Sequence, residues 1–307
     1  MRPSAGNAET RTQREQSTRA EIVKLAQGHL NDVIRFSAVD GPGNRFVIIL
    51  QGCNFNCIAC HKPYAINGCD SCGLCVEPCP EMALYFDGHH HVVVDEDECT
   101  RCNVCIDVCP NDSTPLSEMV RLDSLTKQIA EVAHFLSGVT VSGGEPTLQS
   151  DFVASLFSAI KCDKNLSRLT TFVDSNGHAT RQVWDRLLPV MDGGMIDLKA
   201  LDPGTHMALT GQSNTLVLDT IRYLAEWDRL YEVRLLMIPG INDDPAVVER
   251  TARWLRNIDP TLRIKLIAFR NEGVRSPYTH IPNADPRHIA RLAEIIRGVG
   301  IEELVVA

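Results

Sequence analysis

RFVIILQGCNFNCIACH, residues 45–61, decides how this chain is read. Its first part, Arg45–Gln51, is an aliphatic run of strand length. It passes directly into Cys53, Cys57 and Cys60, a C-x3-C-x2-C block of three thiols. Two further blocks follow, Cys69, Cys72, Cys75, Cys79 and Cys99, Cys102, Cys105, Cys109. Each reads C-x2-C-x2-C-x3-C and is followed by proline, Pro80 or Pro110. Eleven of the twelve cysteines therefore lie between residues 53 and 109, and the first block is one ligand short of the others. A four-iron cluster on three cysteines leaves one iron open to bind something else, whereas closed clusters only move electrons.

Other chemistries explain the cysteines less well. Disulfides suit small secreted domains, and the chain has 307 residues with a polar start, MRPSAGNAETRTQREQSTRAE, that carries no apolar signal stretch. A cytoplasmic location is expected. Zinc ribbons separate their C-x2-C pairs by a long spacer. The spacing here is that of bacterial two-cluster ferredoxins, in which the fourth cysteine of each run ligates the other cluster. Cys69, Cys72, Cys75 and Cys109 would hold one cluster, and Cys99, Cys102, Cys105 and Cys79 the other. Cys57-Ile58-Ala59-Cys60-His61 also reads as a haem-attachment C-x-x-C-H, and His61 could complete a Cys3His zinc site. Neither accounts for Cys53 together with two adjoining ferredoxin runs. Cys162, alone at the end of the apolar helix DFVASLFSAIKC, reads as an inert core cysteine. His89, His90 and His91 read as a solvated hairpin turn.

The net charge of −9 argues against nucleic-acid binding. No apolar run reaches membrane-spanning length. From residue 120 the periodicity alternates as βα units. Strands are expected at 45–51, 139–142, 169–173, 194–198, 231–238, 263–269 and 302–306. Helices are expected at 120–136, 151–161, 180–188, 216–226, 245–258 and 286–297. Six such units fall short of a closed eightfold barrel. The expected fold is an α/β partial (β/α)6 TIM-like barrel, built from residues 31–61 and 117–307. Residues 62–116 form an inserted bacterial ferredoxin-like 2[4Fe-4S] domain, and residues 1–30 a mobile N-terminal extension in which AEIVKLAQGHL could form one short helix.

The unusual residues fall at strand ends: Gln51-Gly52-Cys53, Ser142-Gly143-Gly144-Glu145-Pro146, Asp174-Ser175-Asn176-Gly177, Asp197-Leu198-Lys199, Pro239-Gly240 and Phe269-Arg270-Asn271. In parallel α/β architecture these ends share one face, where active sites sit. Each motif alone is more often a turn; together beside three cysteines they point to one mouth.

These residues resemble the radical S-adenosylmethionine (SAM) superfamily. Cys53, Cys57 and Cys60 match its cluster motif, and Gly143-Gly144-Glu145 its GGE element. Val39-Asp40-Gly41-Pro42-Gly43, Cys60-His61 and Asp197-Leu198-Lys199 narrow the resemblance to glycyl radical enzyme activating enzymes of the pyruvate formate-lyase activase class. The eight-cysteine insert is similar to that of YjjW-type activases, and the resemblance spans residues 33–305. It implies a SAM-binding [4Fe-4S] cluster, reductive cleavage of SAM to methionine and a 5′-deoxyadenosyl radical, and abstraction of a glycine Cα hydrogen on a partner glycyl radical enzyme. Three [4Fe-4S] clusters in all, anaerobic operation, flavodoxin or ferredoxin as electron donor and a monomeric state go with it. Gly143 and Gly144 would let backbone approach the methionine amino group, with Glu145 in the same element. Lys199 would meet the carboxylate, and Asp174 the amino group or a nearby cation. Asp197 could share a monovalent cation with Asp40. Ala59 stands where relatives often carry an aromatic residue, leaving backbone contacts to adenine. Arg270 stands where they often carry histidine, and His61 would line the site through its backbone. Two other readings compete: a radical SAM enzyme acting on a small molecule or another peptide, and a multi-cluster electron carrier. The carrier leaves the strand-end motifs without a purpose.

Overall fold

The computed structural model describes residues 26–307. Strand β1 (Gln27–Ser37) runs antiparallel to β2 (Arg45–Leu50), which leads to the cysteine-rich segment. That segment holds a small hairpin, β3 (Leu84–Phe86) and β4 (Val92–Val94), and one helical turn, α1 (Val104–Asp107). The chain returns through β5 (Glu118–Arg121), α2 (Leu122–Val132), β6 (Gly138–Gly143), α3 (Ser150–Cys162), β7 (Thr170–Ser175) and α4 (Arg181–Leu187). It continues through β8 (Gly193–Asp197), α5 (Pro203–Thr210), α6 (Thr215–Glu226), β9 (Leu230–Met237), α7 (Pro245–Ile258), β10 (Arg263–Ala268), α8 (Pro286–Gly298) and β11 (Leu304–Val306).

One sheet has the order β11-β10-β9-β8-β7-β6-β2-β1-β5. From β2 through β11 its neighbours pair in parallel; β1 and β5 pair antiparallel at one edge. This is an α/β fold with a mostly parallel sheet, and β2 is buried along its whole length, as a strand covered on both faces must be. The sheet stays open between β5 and β11 but curls strongly. At ~4.8 Å per strand, a flat sheet would put β10 about 29 Å from β1. Yet Lys265 Nζ on β10 donates to the Val39 carbonyl just after β1 at 3.2 Å.

Three helices begin at Asp-Pro pairs. Asp202, Asp244 and Asp285 cap backbone N–H groups with their carboxylates, while Pro203, Pro245 and Pro286 occupy the first turn. There proline's fixed φ helps and its missing N–H costs nothing. In α7, Val248, Thr251, Ala252 and Leu255 form the buried stripe, spaced at three and four residues as helical periodicity requires.

Four expectations change. Residues 27–30 belong to β1 rather than to an extension or a helix: Gly28 and Leu30 face inward, and Gly28 lies under the Phe152 ring. Residues 1–25 of the expected extension lie outside the described residues. The helix expected from residue 120 begins at Leu122, because β5 adds Val120 to the sheet edge. Helix α5 had no clear periodicity and was not expected. Cys162 is exposed, not buried: two residues beyond the buried Ile160, it points ~200° around the helix from the core stripe.

At the foot of the sheet Arg45 is fully buried. Its Nε donates to Thr140 Oγ1 at 2.6 Å, Nη2 to Val139 O at 2.7 Å and Nη1 to Thr170 Oγ1 at 2.9 Å. The guanidinium also lies over the Phe172 ring at 4.4 Å and reaches Pro42 O. One side chain thus ties β2, β6, β7 and the loop before β2. Arg45→Met leaves several buried acceptors unpaired and should lower unfolding free energy by about 3 kcal/mol or more, read from urea unfolding.

Candidate active site

The site assembles where β2 ends. Leu50–Cys53 is gripped from two sides by backbone. Gly144 N donates to Leu50 O at 2.9 Å and Glu145 N to Gly52 O at 2.7 Å. From the insert, Ala65 O accepts from Gly52 N at 2.9 Å and Ile66 O from Cys53 N at 3.0 Å. The approach is too close for side chains. A Cβ on Gly144 would sit 2.1 Å from Gly52 O, and one on Gly143, whose φ is +128°, 2.3 Å from Leu50 N. These glycines are demanded first by the chain's own backbone.

Glu145 is fully buried, and its carboxylate is spent within the protein. Oε1 accepts from Thr147 N (2.9 Å), Thr147 Oγ1 (2.5 Å) and Ser175 Oγ (2.8 Å), and Oε2 from Asn176 N (2.7 Å). Burial pushes its carboxyl up from the usual value while these donors pull it back. Glu145 therefore fastens the end of β6 to the end of β7. Asn176 in turn donates to Asn54 Oδ1 at 2.8 Å and lies 3.8 Å from Cys53 Sγ.

None of the three thiols of the loop is in a disulfide. Burial pushes Cys53 up to about 12 and Cys57 to about 11, and raises Cys60 as well. Lys199 and Arg275 pull Cys57 and Cys60 the other way. Three desolvated sulfurs with cations held beside them are a donor set suited to a polycationic iron–sulfur core, whose charge replaces the lost protons. Among the described residues no three His, Cys, Asp or Glu side chains are grouped to hold a single metal ion.

Lys199 Nζ donates to Asp197 Oδ2 at 2.7 Å, and Lys199 lines a narrow cavity with Cys57, Ala59, Leu209, Ile238 and Asn242. Burial pushes Asp197 up, but Lys199 and Arg234 outweigh it and hold the carboxyl below its usual value. Asp174 is occupied: Arg234 Nη1 donates to both of its oxygens at 2.9 Å, and Ser142 Oγ to Oδ2 at 2.9 Å. Asp40 accepts from Ser37 Oγ at 2.5 Å. His61 and Arg270 come together across 209 positions, His61 Nε2 lying 2.8 Å from the Arg270 carbonyl oxygen.

Residues outside the expected set also shape the mouth. Arg234 and Glu232 are bonded at 2.9 Å, and Glu232 also accepts from Arg263 at 3.0 Å. Two charges at alternate positions of an otherwise apolar strand were the available signal for an inward polar face. Arg275 donates to Cys57 O at 2.9 Å and reaches Asp112 of the insert at 3.5 Å; as a loop arginine it carried no signal. His206 is wholly buried against Phe55 of the cysteine loop, with ring centroids 5.6 Å apart.

Residues 47–255 match the radical SAM superfamily. The chain belongs to that superfamily. It is 32% identical to the (2S)-3-sulfopropanediol dehydratase activating enzyme of Klebsiella oxytoca, across 91% of this chain and 96% of that one. It is 27% identical to the pyruvate formate-lyase-activating enzyme of Staphylococcus epidermidis, across 90% and 96%. In fold it is similar to QueE from Escherichia coli, with a TM-score of 0.51 at 13% identity over 94% of this chain and 97% of that one. The chain is thus a radical SAM enzyme whose relatives are activating enzymes, and its superfamily implies a [4Fe-4S] cluster and SAM. No described helix is long and apolar enough to cross a membrane.

Two measurements test this geometry. Gly144→Ala should cost about 2 kcal/mol or more through overpacking and lower iron retention, read by urea unfolding and iron content. Among the described residues His206 has no hydrogen-bond partner on either ring nitrogen, and burial pulls it down to about 4 from 6.5. Between those values the unfolded chain takes up a proton that the folded one refuses, so stability is lost as pH falls from 6.5 towards 4, by on the order of 3 kcal/mol. His206→Leu should flatten that part of the stability–pH curve; an unchanged slope would place its origin elsewhere.

Proposed function

We propose that this chain is a glycyl radical enzyme activase carrying three [4Fe-4S] clusters, the SAM-binding one on Cys53, Cys57 and Cys60. The observation that carries this is the three-thiol loop at the C-terminal end of β2, buried beside Lys199 and fastened by the Gly143–Glu145 turn. When bound, the cluster and SAM supply reductive cleavage to methionine and a 5′-deoxyadenosyl radical that takes a Cα hydrogen from glycine of the partner.

The chain's own residues bind, orient and insulate. The Phe55 N–H donates to Cys53 Sγ at 3.4 Å, the Asn176 amide lies beside it, and both would support a thiolate. Lys199, held by Asp197, would meet the carboxylate of SAM. Gly143 and Gly144 would offer backbone to the methionine amino group, and Asp174 on the neighbouring strand is held by Arg234 and Ser142. Ala59, with Leu209 and Ile238, makes an apolar wall that excludes water around adenine. His61 and Arg270 would close the rim at the ribose.

The insert would hold the other two clusters. Burial raises Cys75, and the nearby sulfurs of Cys69, Cys72 and Cys109 raise it further. Burial pushes Cys105 to about 11, with Cys75, Cys99 and Cys102 adding to it. Cys109 thus keeps company with the first run, as cross-ligation requires, and Cys79 would complete the second set. Asn67 and Asp70, beside Cys69, are hydrogen-bonded to Asn111, beside Cys109. A cleft of about 410 Å3 between Cys53 and Pro110–Asp112 is bridged by Arg275. This supports an internal relay to the SAM cluster.

Anaerobic reconstitution should yield about twelve irons per chain, deoxyadenosine on reduction with SAM, and a glycyl doublet by EPR when the partner enzyme is added. Cys53→Ala should keep about eight irons and lose SAM cleavage. About eight irons in the unaltered chain, without cleavage, would sink the assignment. Cys72→Ala and Cys102→Ala should slow reduction by a protein donor while sparing dithionite-driven cleavage; equal loss with both reductants would indicate a folding role instead.

A further inference from the structure

Arg275 touches both halves of the proposed relay. It sits in the loop after β10, where Val274 is buried in the same apolar cluster as Ala59 and Ile281. Its Nη2 donates to Cys57 O at 2.9 Å and to Asn56 O at 3.3 Å, so the guanidinium is fastened to the backbone of the three-cysteine loop. Its Nη1 reaches Asp112 Oδ2 at 3.5 Å. The Asp112 N–H in turn donates to Cys109 O at 3.3 Å, closing a turn directly on the last cysteine of the insert. Contacts thus run from the backbone of one expected cluster ligand to that of another, with a cation at the Cys57 end and an anion at the Cys109 end.

The two charges do not cancel. The Arg275 side chain is 13% exposed and that of Asp112 45%, so water screens the carboxylate far more than the guanidinium. Among the described residues Arg275 Nε is buried without a hydrogen-bond partner. Lys199, another cation near the thiols, lines the narrow cavity beside Ala59 and is bonded to Asp197 at 2.7 Å. Arg275 instead lines the cleft towards Pro110–Asp112. Burial raises the Cys57 and Cys60 thiols, and Arg275 is among the charges that oppose it. Positive charge that is only partly compensated therefore lies on the insert-facing side of the loop.

We propose that Arg275 and Asp112 form an oriented charge pair that draws the reducing electron from the insert onto the cluster held by Cys53, Cys57 and Cys60. This rests on the assignment of clusters to both groups of cysteines. A reduced cluster carries one more negative charge than an oxidised one, and the charge around it is one of the protein's levers on its potential. A cation at Cys57 favours the electron there, and an anion at Cys109 disfavours it there. In this step one electron leaves the cluster that includes Cys109 and enters the SAM-binding cluster; no bond forms or breaks, and no proton moves. Arg275 is a positioning residue in the step, because it acts through the Cys57 backbone and through its charge.

The full-length reconstituted protein can be titrated electrochemically and followed by EPR. The SAM-binding cluster is the signal that changes when SAM is added, and the insert signals are those left in Cys53→Ala. Arg275→Met keeps the length of the side chain without its charge. At a fixed potential it should lower the reduced-to-oxidised ratio of the SAM-responsive cluster about tenfold, a drop of about 59 mV for a one-electron couple. Arg275→Lys keeps the charge, loses the fork, and should restore most of that ratio. Asp112→Asn should raise the potential of an insert signal relative to the SAM-responsive one. An unchanged ratio in Arg275→Met at full iron content overturns the proposal, and so does Arg275→Lys shifted as far as Arg275→Met. If Arg275→Met loses iron, Asp112→Asn decides alone, since it leaves the Arg275 bonds to the cysteine loop in place: an unchanged difference between the two sets of signals overturns the proposal. Iron content separates this from the reading beneath it. About eight irons or fewer in the unaltered chain, or no SAM-responsive signal, overturns the cluster assignment, whereas about twelve irons with unshifted potentials overturns only the charge pair.

Discussion

Everything at the mouth of this fold depends on how closely two backbones approach at the end of β2. Gly143 and Gly144 lie where any side chain would collide with Leu50 and Gly52, so the β6–α3 turn can press on the strand that launches the three-cysteine loop. The insert grips the same stretch from its other side through Ala65 and Ile66. The cysteine loop is thus suspended between the sheet and the insert, and neither can shift without moving the thiols. Glu145 extends the constraint sideways, because its four hydrogen bonds leave it no freedom and fix Ser175 and Asn176 against Cys53.

The interior of the curled sheet is charged, and that is costly unless each charge is paired. Asp174, Arg234, Glu232 and Arg263 form one connected chain of contacts no longer than 3.0 Å. Asp197 and Lys199 form a second pair nearer the thiols. Removing one member would leave its neighbour buried and unpaired, so the network rigidifies the walls around the cavity as well as setting their sign. Lys199 differs from Arg234 in that it also lines open space beside Cys57. Its ammonium is held by Asp197 at the edge of that cavity, whereas Arg234 is consumed by Asp174 and Glu232.

Much of the fold was legible from residue order. The parallel strands were placed to within a residue or two, and α7 at its actual ends, because apolar runs and Asp-Pro starts are local signals. Strands β1 and β5 were not legible: each is stabilised by pairing with distant partners, and their local patterns mix polar and apolar residues. Cys162 was misplaced because composition says that a helix is apolar without saying which way its last residue points. The same distinction holds in the site. Gly143, Gly144 and Glu145 stood out as a motif, but the four donors that claim the Glu145 carboxylate come from α3's approach and from β7.

By itself the sequence determined the cysteine inventory: three cysteines in one block, four in each of two others, and strand-end motifs around them. Those are matters of spacing and residue type, which the chain carries whatever its shape. Tertiary structure alone decided that Arg234 claims Asp174, that Arg275 links Cys57 to Asp112 of the insert, and that His61 meets Arg270. Such pairs are separated by tens to hundreds of residues, and their partners are chosen by the curl of the sheet. The physical reason is that thiol spacing is a covalent property of the chain, whereas burial and charge pairing exist only once the strands are side by side.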